Sequence, residues 1–332
     1  MIKNKTILVT GGTGSFGKYI VSELLKYNPS EIRIFSRDED KQYSMQFELK
    51  DYKNLRFVIG DVRDKESLQK ATKNVDIVLH AAALKQIPST EYNILEAVKT
   101  NVLGAQNVVD ACLQNNVKKV LSISTDKAVE PINVMGMTKG LQERIFTLAN
   151  KERDGGQTVF ASVRYGNVVA SRGSVIPLFI KQIKAGGPLT ITHPGMTRFI
   201  LTLKRATQLV FTALSAMVGG EIFVPKVQPL RIIDLAEVFV EAYKPVNNKI
   251  VAIGIRPGEK LHETLISDAE SLRIIDKGDY FILLPQIDLQ HIGYTYELKM
   301  YAKKKILAYS SDKGPFLTKV EIKDILRKDN II

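Results

Sequence analysis

A chain of 332 residues, 45% hydrophobic and 25% charged, has room for one α/β domain carrying a smaller lobe. Its formal charge of +12 suits polyanionic ligands, yet the positive residues (Lys3, Lys5, Lys118, Lys119, Lys303 to Lys305) form no long basic tract, which reads as solvated surface and not as a nucleic-acid interface. The single Cys112 excludes a disulfide framework and reads as a packing residue, and no apolar run is long enough to span a bilayer. The expected setting is therefore a reducing cytoplasm, with any membrane contact peripheral.

Along the first half, short β-branched runs alternate with amphipathic stretches. "TILVTGG" predicts a strand, and "SFGKYIVSELLKYN" a helix with Ile20, Val21, Leu24 and Leu25 on its apolar face. "EIRIFSR" and "LRFVIGDV" predict the second and third strands, "KESLQKATKN" a helix, and "VDIVLHAAA" a further strand. Then come a long helix over "NILEAVKTNVLGAQNVVDACLQNN", a strand over "VKKVLSISTDKA" and another over "VFASVRYGNVV". Strands joined by helical crossovers imply right-handed βαβ units in a doubly wound parallel sheet of the Rossmann type. Beyond Gly173 the rhythm loosens, although "LRIIDLAEVFVEAY" is a clear amphipathic helix. The expected division is a predominantly dinucleotide-binding part over residues 1–172 and a substrate-binding lobe over 173–332, the two interleaved and enclosing a cleft.

"VTGGTGSFGKYI" sets Gly11, Gly14 and Gly17 between the first strand and the first helix. A tight turn without Cβ atoms lets a pyrophosphate approach the backbone and the helix N-terminus, with Thr13, Ser15 and Phe16 completing the candidate contacts. At the tip of the second strand, Ser36 and Arg37 stand where an NAD binder commonly has an acid. Arginine pairs with the extra phosphate of NADP, so NADP is favoured. Asp38 and Glu39 follow closely, and NAD stays open. Asp61 and Val62 fall at the adenine edge, and Ala81, Ala82 and Ala83 are small enough to let a dinucleotide pass.

"LSISTDKAVEPINVMGMTKG" resembles the C5-inverting UDP-N-acetylglucosamine 4,6-dehydratases, a branch of the extended short-chain dehydrogenases. The resemblance runs through "VTGGTGSFG", "FSRDE", "GDVRDKE", "HAAALKQIP", "RYGNVVASRGSVIPLF", "MTRF", "GGEIFVPK" and "GIRPGEKLHE", in family order. Met135, four residues before Lys139, occupies the place of the usual acid/base tyrosine. That substitution further resembles the subgroup acting as 4,6-dehydratase and 5-epimerase in capsule and O-antigen synthesis, on the route to N-acetyl-L-fucosamine.

The resemblance implies redox at sugar carbon 4, loss of water across carbons 5 and 6, and reprotonation that inverts carbon 5, with tightly bound NADP regenerated each turnover. It implies that Asp126 is the acid toward the carbon 6 hydroxyl, Lys127 the base at carbon 5, with Thr125 beside them, and that Lys139 holds the nicotinamide ribose. Met135 has no ionisable hydrogen, so the carbon 4 proton must leave through a water, Asp126 or Lys127. His80 reads as a packing residue, and His193, His262 and His291 lack ligand spacing, so no metal is expected.

At the substrate end, Arg198 and Arg256 with Glu259 match family positions that contact diphosphate and ribose. Tyr165 and Asn167 match the sugar-phosphate side, and Val175 lies in the loop "ASRGSVIP" on the uridine side; Lys85 is a further sugar contact. UDP-N-acetylglucosamine is the expected substrate, a downstream reductase or epimerase the expected pathway partner, and a homo-oligomer the expected assembly, with the family resemblance pointing to a hexamer. Three other readings stay open: a C5-inverting dehydratase of the pseudaminic-acid type, a 4-epimerase, and a non-catalytic NADP-binding protein.

Overall fold

The computed structural model describes residues 1–152, 157–169, 171, 173–287 and 308–332. Its centre is a nine-stranded sheet. Six strands come from the first half: β1 (Thr6–Thr10), β2 (Glu31–Ser36), β3 (Leu55–Ile59), β4 (Ile77–His80), β5 (Lys119–Thr125) and β6 (Val159–Tyr165). They pair in parallel in the order β3-β2-β1-β4-β5-β6. Strand Ile222–Pro225 continues the parallel run beside β6, and Tyr280–Leu283 and Ile274–Asp276 close the edge antiparallel. The order reverses between β1 and β4, and a crevice opens there at the carboxyl ends of the strands.

Pleating explains why these runs are strands. Successive side chains point to opposite faces, so Ile7 and Val9 of β1 join one core cluster while Leu8 joins the other. The same split separates Ile77 and Leu79 from Val78, and Leu121 from Val120. Both faces must then be covered. Helix α1 (Ser15–Leu25) covers the first, burying Ile20, Val21, Leu24 and Leu25 as its periodicity predicts. Full burial of one such side chain stabilises by about 1.5–3 kcal/mol. The Gly104–Gln114 helix and Phe146 cover the second face. A separate cluster, including Phe179, Leu235, Phe239 and Leu326, forms the core of the later lobe.

Three elements differ from the sequence reading. The long helix expected over residues 93–116 passes through a π-helical stretch, Val98–Leu103. This widened turn buries Asn101, which accepts from Leu84 N (2.8 Å) and donates to Leu84 O (2.9 Å) and Thr138 Oγ1 (3.0 Å). It thereby ties the loop after β4 to the Val134–Leu148 helix. β5 ends at Thr125, and Asp126–Ala128 form a single 3-10 turn. Finally, the strand expected over residues 159–169 breaks at Gly166, and Asn167–Val168 pairs instead with Thr197–Leu201. A Cβ on Gly166 would lie 2.5 Å from Phe199 O, so only glycine permits that crossing.

Candidate active site

The carboxyl ends of the parallel strands open into a cleft of about 920 Å³, and the later lobe supplies its far wall. All of the candidate residues above line it except Asp126. Of the loop "ASRGSVIP", Ala170 and Arg172 lie outside the described residues, as does His291.

At one end, the glycine turn is shaped by contact with the β4 loop. Gly11 has φ +65°, and a Cβ there would sit 2.8 Å from the Ala82 backbone. A Cβ on Gly17 would meet Gly11 O at 2.4 Å, so α1 starts tightly against the turn. The adjoining polar groups are pre-arranged. Thr13 Oγ1 donates to Ser36 Oγ (3.1 Å), and Gln42 Nε2 pins Ser36 O (2.8 Å) and Val58 O (2.9 Å). Asp38 is committed elsewhere: it accepts from Lys41 N as helix cap and pairs with the Lys41 ammonium. Arg37 stays half exposed, 3.8 Å from Asp61. Partial burial opposes ionisation of Asp61, but its bonds to Arg63 outweigh this and hold the carboxyl below its ordinary value. Arg37 and Lys41 both line the cleft, and sequence reasoning had not singled out Lys41.

Beneath the middle of the cleft lies Lys139, 5% exposed. Its ammonium donates to Ile123 O (2.5 Å) and Gln142 Oε1 (2.6 Å). Burial pulls its pKa to about 7, with Glu143 one turn away acting in the opposite sense. His80 is fully buried, bonded through Nδ1 to Thr10 Oγ1 (2.8 Å) and stacked on Phe146. Burial, reinforced by the Lys139 charge, lowers its pKa to about 3, so it stays neutral. Met135 is buried and contributes a thioether to the wall.

The tip of β5 carries the densest cluster of charge. Thr125 Oγ1 donates to Asp126 Oδ1 (2.9 Å), and Lys127 Nζ lies 3.0 Å from the same oxygen. Asp126 has no exposed surface; it supports Lys127 from below the wall. On the opposite side Lys127 meets Glu263 Oε1 at 3.2 Å. Burial lowers the Lys127 pKa, yet Asp126 and Glu263 outweigh it and the net shift is upward. Burial likewise raises Glu263, and Asp126 adds to this, while Lys127 and Arg198 oppose it. Glu263 lines the cleft and was missed in the sequence, although it closes the "GIRPGEKLHE" motif. The signal was there, but nothing local distinguished it from a surface glutamate.

Two clips bring this segment to the loop that follows β5 and its 3-10 turn. Asn133 Nδ2 donates to Gly258 O (2.7 Å), and Lys260 Nζ donates to Val129 O (2.7 Å). Arg198 is buried and donates to the Thr197, Leu261 and Lys260 carbonyls, with Glu259 at 3.7 Å. Much of its fork is thus spent on the backbone. Arg256 sits exposed on the rim and pairs with Glu259. Asn167 presents a buried Oδ1 without a partner, Tyr165 lies against Phe16, Val175 opens the Val175–Lys184 helix, and Lys85 stands exposed at the cleft edge. His193 accepts from Gly195 N, and His262 bonds to Thr197 Oγ1. No helix among the described residues is long and apolar enough to cross a membrane.

The chain is 47% identical to an uncharacterized membrane protein of Methanocaldococcus jannaschii, covering 98% of this chain and 96% of the relative. It is 44% identical to the UDP-N-acetylglucosamine 4,6-dehydratase (inverting) of Campylobacter jejuni (strain 81-176), covering 98% of each. It is 45% identical to a protein named UDP-glucose 4-epimerase in Rickettsia typhi, covering 98% and 96%. Among solved structures, Pen from Bacillus thuringiensis superimposes with a TM-score of 0.93 at 38% identity, covering 100% of this chain and 99% of that one. The model of the family described as polysaccharide biosynthesis protein matches residues 7–285. This chain belongs to that polysaccharide biosynthesis family, within the extended short-chain dehydrogenases.

Proposed function

We propose that the protein is an NADP-dependent UDP-N-acetylglucosamine 4,6-dehydratase that inverts carbon 5, giving a 4-keto-6-deoxy sugar of the L-arabino type for capsule or O-antigen synthesis. The observation that carries this reading is the Thr125–Asp126–Lys127 turn at the tip of β5, its ammonium held between two carboxylates on a cleft that also contains the glycine turn. A nicotinamide bound there would accept and return the hydride, and the residues fit it. Gly11 and Gly17 leave room for a pyrophosphate, Asp61 and Val62 flank the adenine end, and Lys139 reaches the ribose side. Ser36, Arg37 and Lys41 offer an uncharged hydroxyl and two cations where an NAD site would place a free acid, which supports NADP.

On the sugar, Lys127 is the base at carbon 5, and Asp126 fixes its direction through the 3.0 Å contact. Asn167, Arg256 and Glu259 bind the sugar-phosphate, and Tyr165, Val175 and Lys85 complete the pocket. The reading carries with it a homo-oligomer and a downstream reductase or epimerase that takes the keto product.

The 4-epimerase named among the relatives is the second reading, and Met135 disfavours it. Epimerisation at carbon 4 alone relies on a phenol-type acid/base at that place and makes no use of an Asp-Lys pair. Incubation with UDP-N-acetylglucosamine followed by mass spectrometry decides. Loss of one water supports the dehydratase, an isomer of unchanged mass supports the epimerase, and unchanged substrate rejects both. Proton NMR of the product in deuterated water reads the configuration and label at carbon 5, and so separates inversion from retention.

A further inference from the structure

The Val175–Lys184 helix turns one stripe toward the cleft. Ile176 and Phe179 sink into the core of the later lobe, while Val175, Leu178 and Lys181 line the opening. Steps of three residues drift round a helix of about 3.6 residues per turn, so Lys184, the next in the series, stands off the cleft. Strand Leu189–Ile191 lies beside the stripe. Gln182 clasps it, Nε2 donating to Thr190 Oγ1 (2.6 Å) and Oε1 accepting from Thr190 N (3.1 Å). On the other side of the strand, Ile253 N donates to Ile191 O (2.9 Å). This end of the cleft is therefore a slot, with Leu178 and Lys181 on one side, Ile253 on the other and Thr190 between.

Two features of the slot call for a ligand. Leu178 and Ile253 are large aliphatic side chains left 38% and 58% exposed although both line a concave surface. A flat ring between them takes that area out of water. Lys181 stands exposed at the same end, and among the described residues its ammonium has no hydrogen-bond or ion-pair partner. The last turn of a helix favours any cation, but Lys181 and Lys184 share that turn, and only Lys181 lines the cleft.

Resting on the dehydratase reading above, we infer that Lys181 selects the nucleobase of the nucleotide sugar, its ammonium donating to the carbonyl oxygen at position 4 of uracil. With the sugar at Lys127 and the diphosphate at Arg256, the base falls at the slot, since Ile253 is three residues from Arg256 in the chain. A diphosphate needs several donors and gains nothing from aliphatic walls. A pyrimidine is flat, has apolar faces and carries its polar groups on the edge. Lysine offers donors and no acceptor. It can meet the uracil carbonyl, but it leaves the amino group of cytosine, itself a donor, without a partner. Leu178 and Ile253 cover either base alike, so the walls supply affinity and Lys181 supplies the choice.

Calorimetric titration with UDP and with CDP tests this, on protein saturated with NADP so that the dinucleotide end of the cleft is filled. Wild type should bind UDP about tenfold or more tighter than CDP. Lys181→Met should weaken UDP about tenfold and leave CDP within about twofold, so that the preference is lost. Lys184→Met, in the same turn, should match wild type. Equal affinity of wild type for the two nucleotides overturns the assignment. So does equal weakening of both in Lys181→Met, which would place the ammonium on the diphosphate. A preference for UDP that vanishes in Lys181→Met upholds the assignment even where UDP-N-acetylglucosamine loses no water, and that outcome rejects the dehydratase reading alone.

Discussion

Lys127 Nζ stands 3.2 Å from Glu263 Oε1, and this contact joins the tip of β5 to a segment from the far end of the chain. Its other side is closed by Asp126 at 3.0 Å. The ammonium is therefore held between two carboxylates on the wall of the cleft.

Removal of that ammonium should end the reaction while leaving the cofactor bound. Lys127→Ala is expected to lose about 10²–10⁴-fold in turnover, with the bound nicotinamide nucleotide retained through gel filtration. Lys127→Arg keeps the charge but cannot serve as a base near neutral pH, and should be equally inactive. Product formation by mass spectrometry reads both, and near-normal dehydration by Lys127→Ala would reject the role of Lys127.

Lys139 makes stability depend on pH in a defined direction. Its pKa is 10.5 when exposed and about 7 in the fold, so between those values the unfolded chain holds more protons. Stability then rises with pH across this window, by up to roughly 1.4 kcal/mol per unit. In protein stripped of nucleotide, the melting temperature of wild type relative to Lys139→Met should climb by roughly 2 °C or more from pH 7 to pH 9. A flat difference would mean that Lys139 stays charged in the fold.

Cofactor choice should rest on the two cations beside Ser36. Arg37→Ala and Lys41→Ala are each expected to weaken NADP about tenfold or more, since each removes a charge-assisted bond, and to change NAD affinity about twofold at most. Calorimetric titration of the stripped protein measures both. Equal weakening for the two nucleotides would place the adenosine ribose elsewhere.

Arg164 lies behind the site and is almost wholly buried. It makes paired bonds to Glu143 (2.9 and 2.7 Å) and to Glu270 (2.9 and 2.9 Å). Burial works against its charge, but the two glutamates outweigh it and hold its pKa above the ordinary value. Arg164→Ala strands two buried carboxylates and should cost about 3–5 kcal/mol, seen as a lower urea midpoint. A midpoint shift under about 1 kcal/mol would mean that water replaces the pairing.

Much of this was legible in the sequence because its causes are local. The alternation of Ile7, Leu8 and Val9 dictates a strand buried on both faces, and the spacing of Ile20, Val21, Leu24 and Leu25 dictates the helix that covers one of them. Gly11 and Gly17 are demanded by a turn a few residues long, and Thr125, Asp126 and Lys127 are neighbours in the chain. Other features were invisible for the opposite reason. The π stretch at Val98–Leu103 buries Asn101, whose partners Leu84 and Thr138 come from other elements, and no periodicity announces that.

The sequence by itself thus determined the parallel sheet, the glycine turn and the Asp-Lys pair, since each follows from residues within one or two turns of one another. Only the tertiary structure decided which carboxylate faces the cleft. Asn133 and Lys260 dock the later segment on the loop after β5, beside the buried Asp126, and set Glu263 in the wall; burial is a property of packing that a local pattern does not contain.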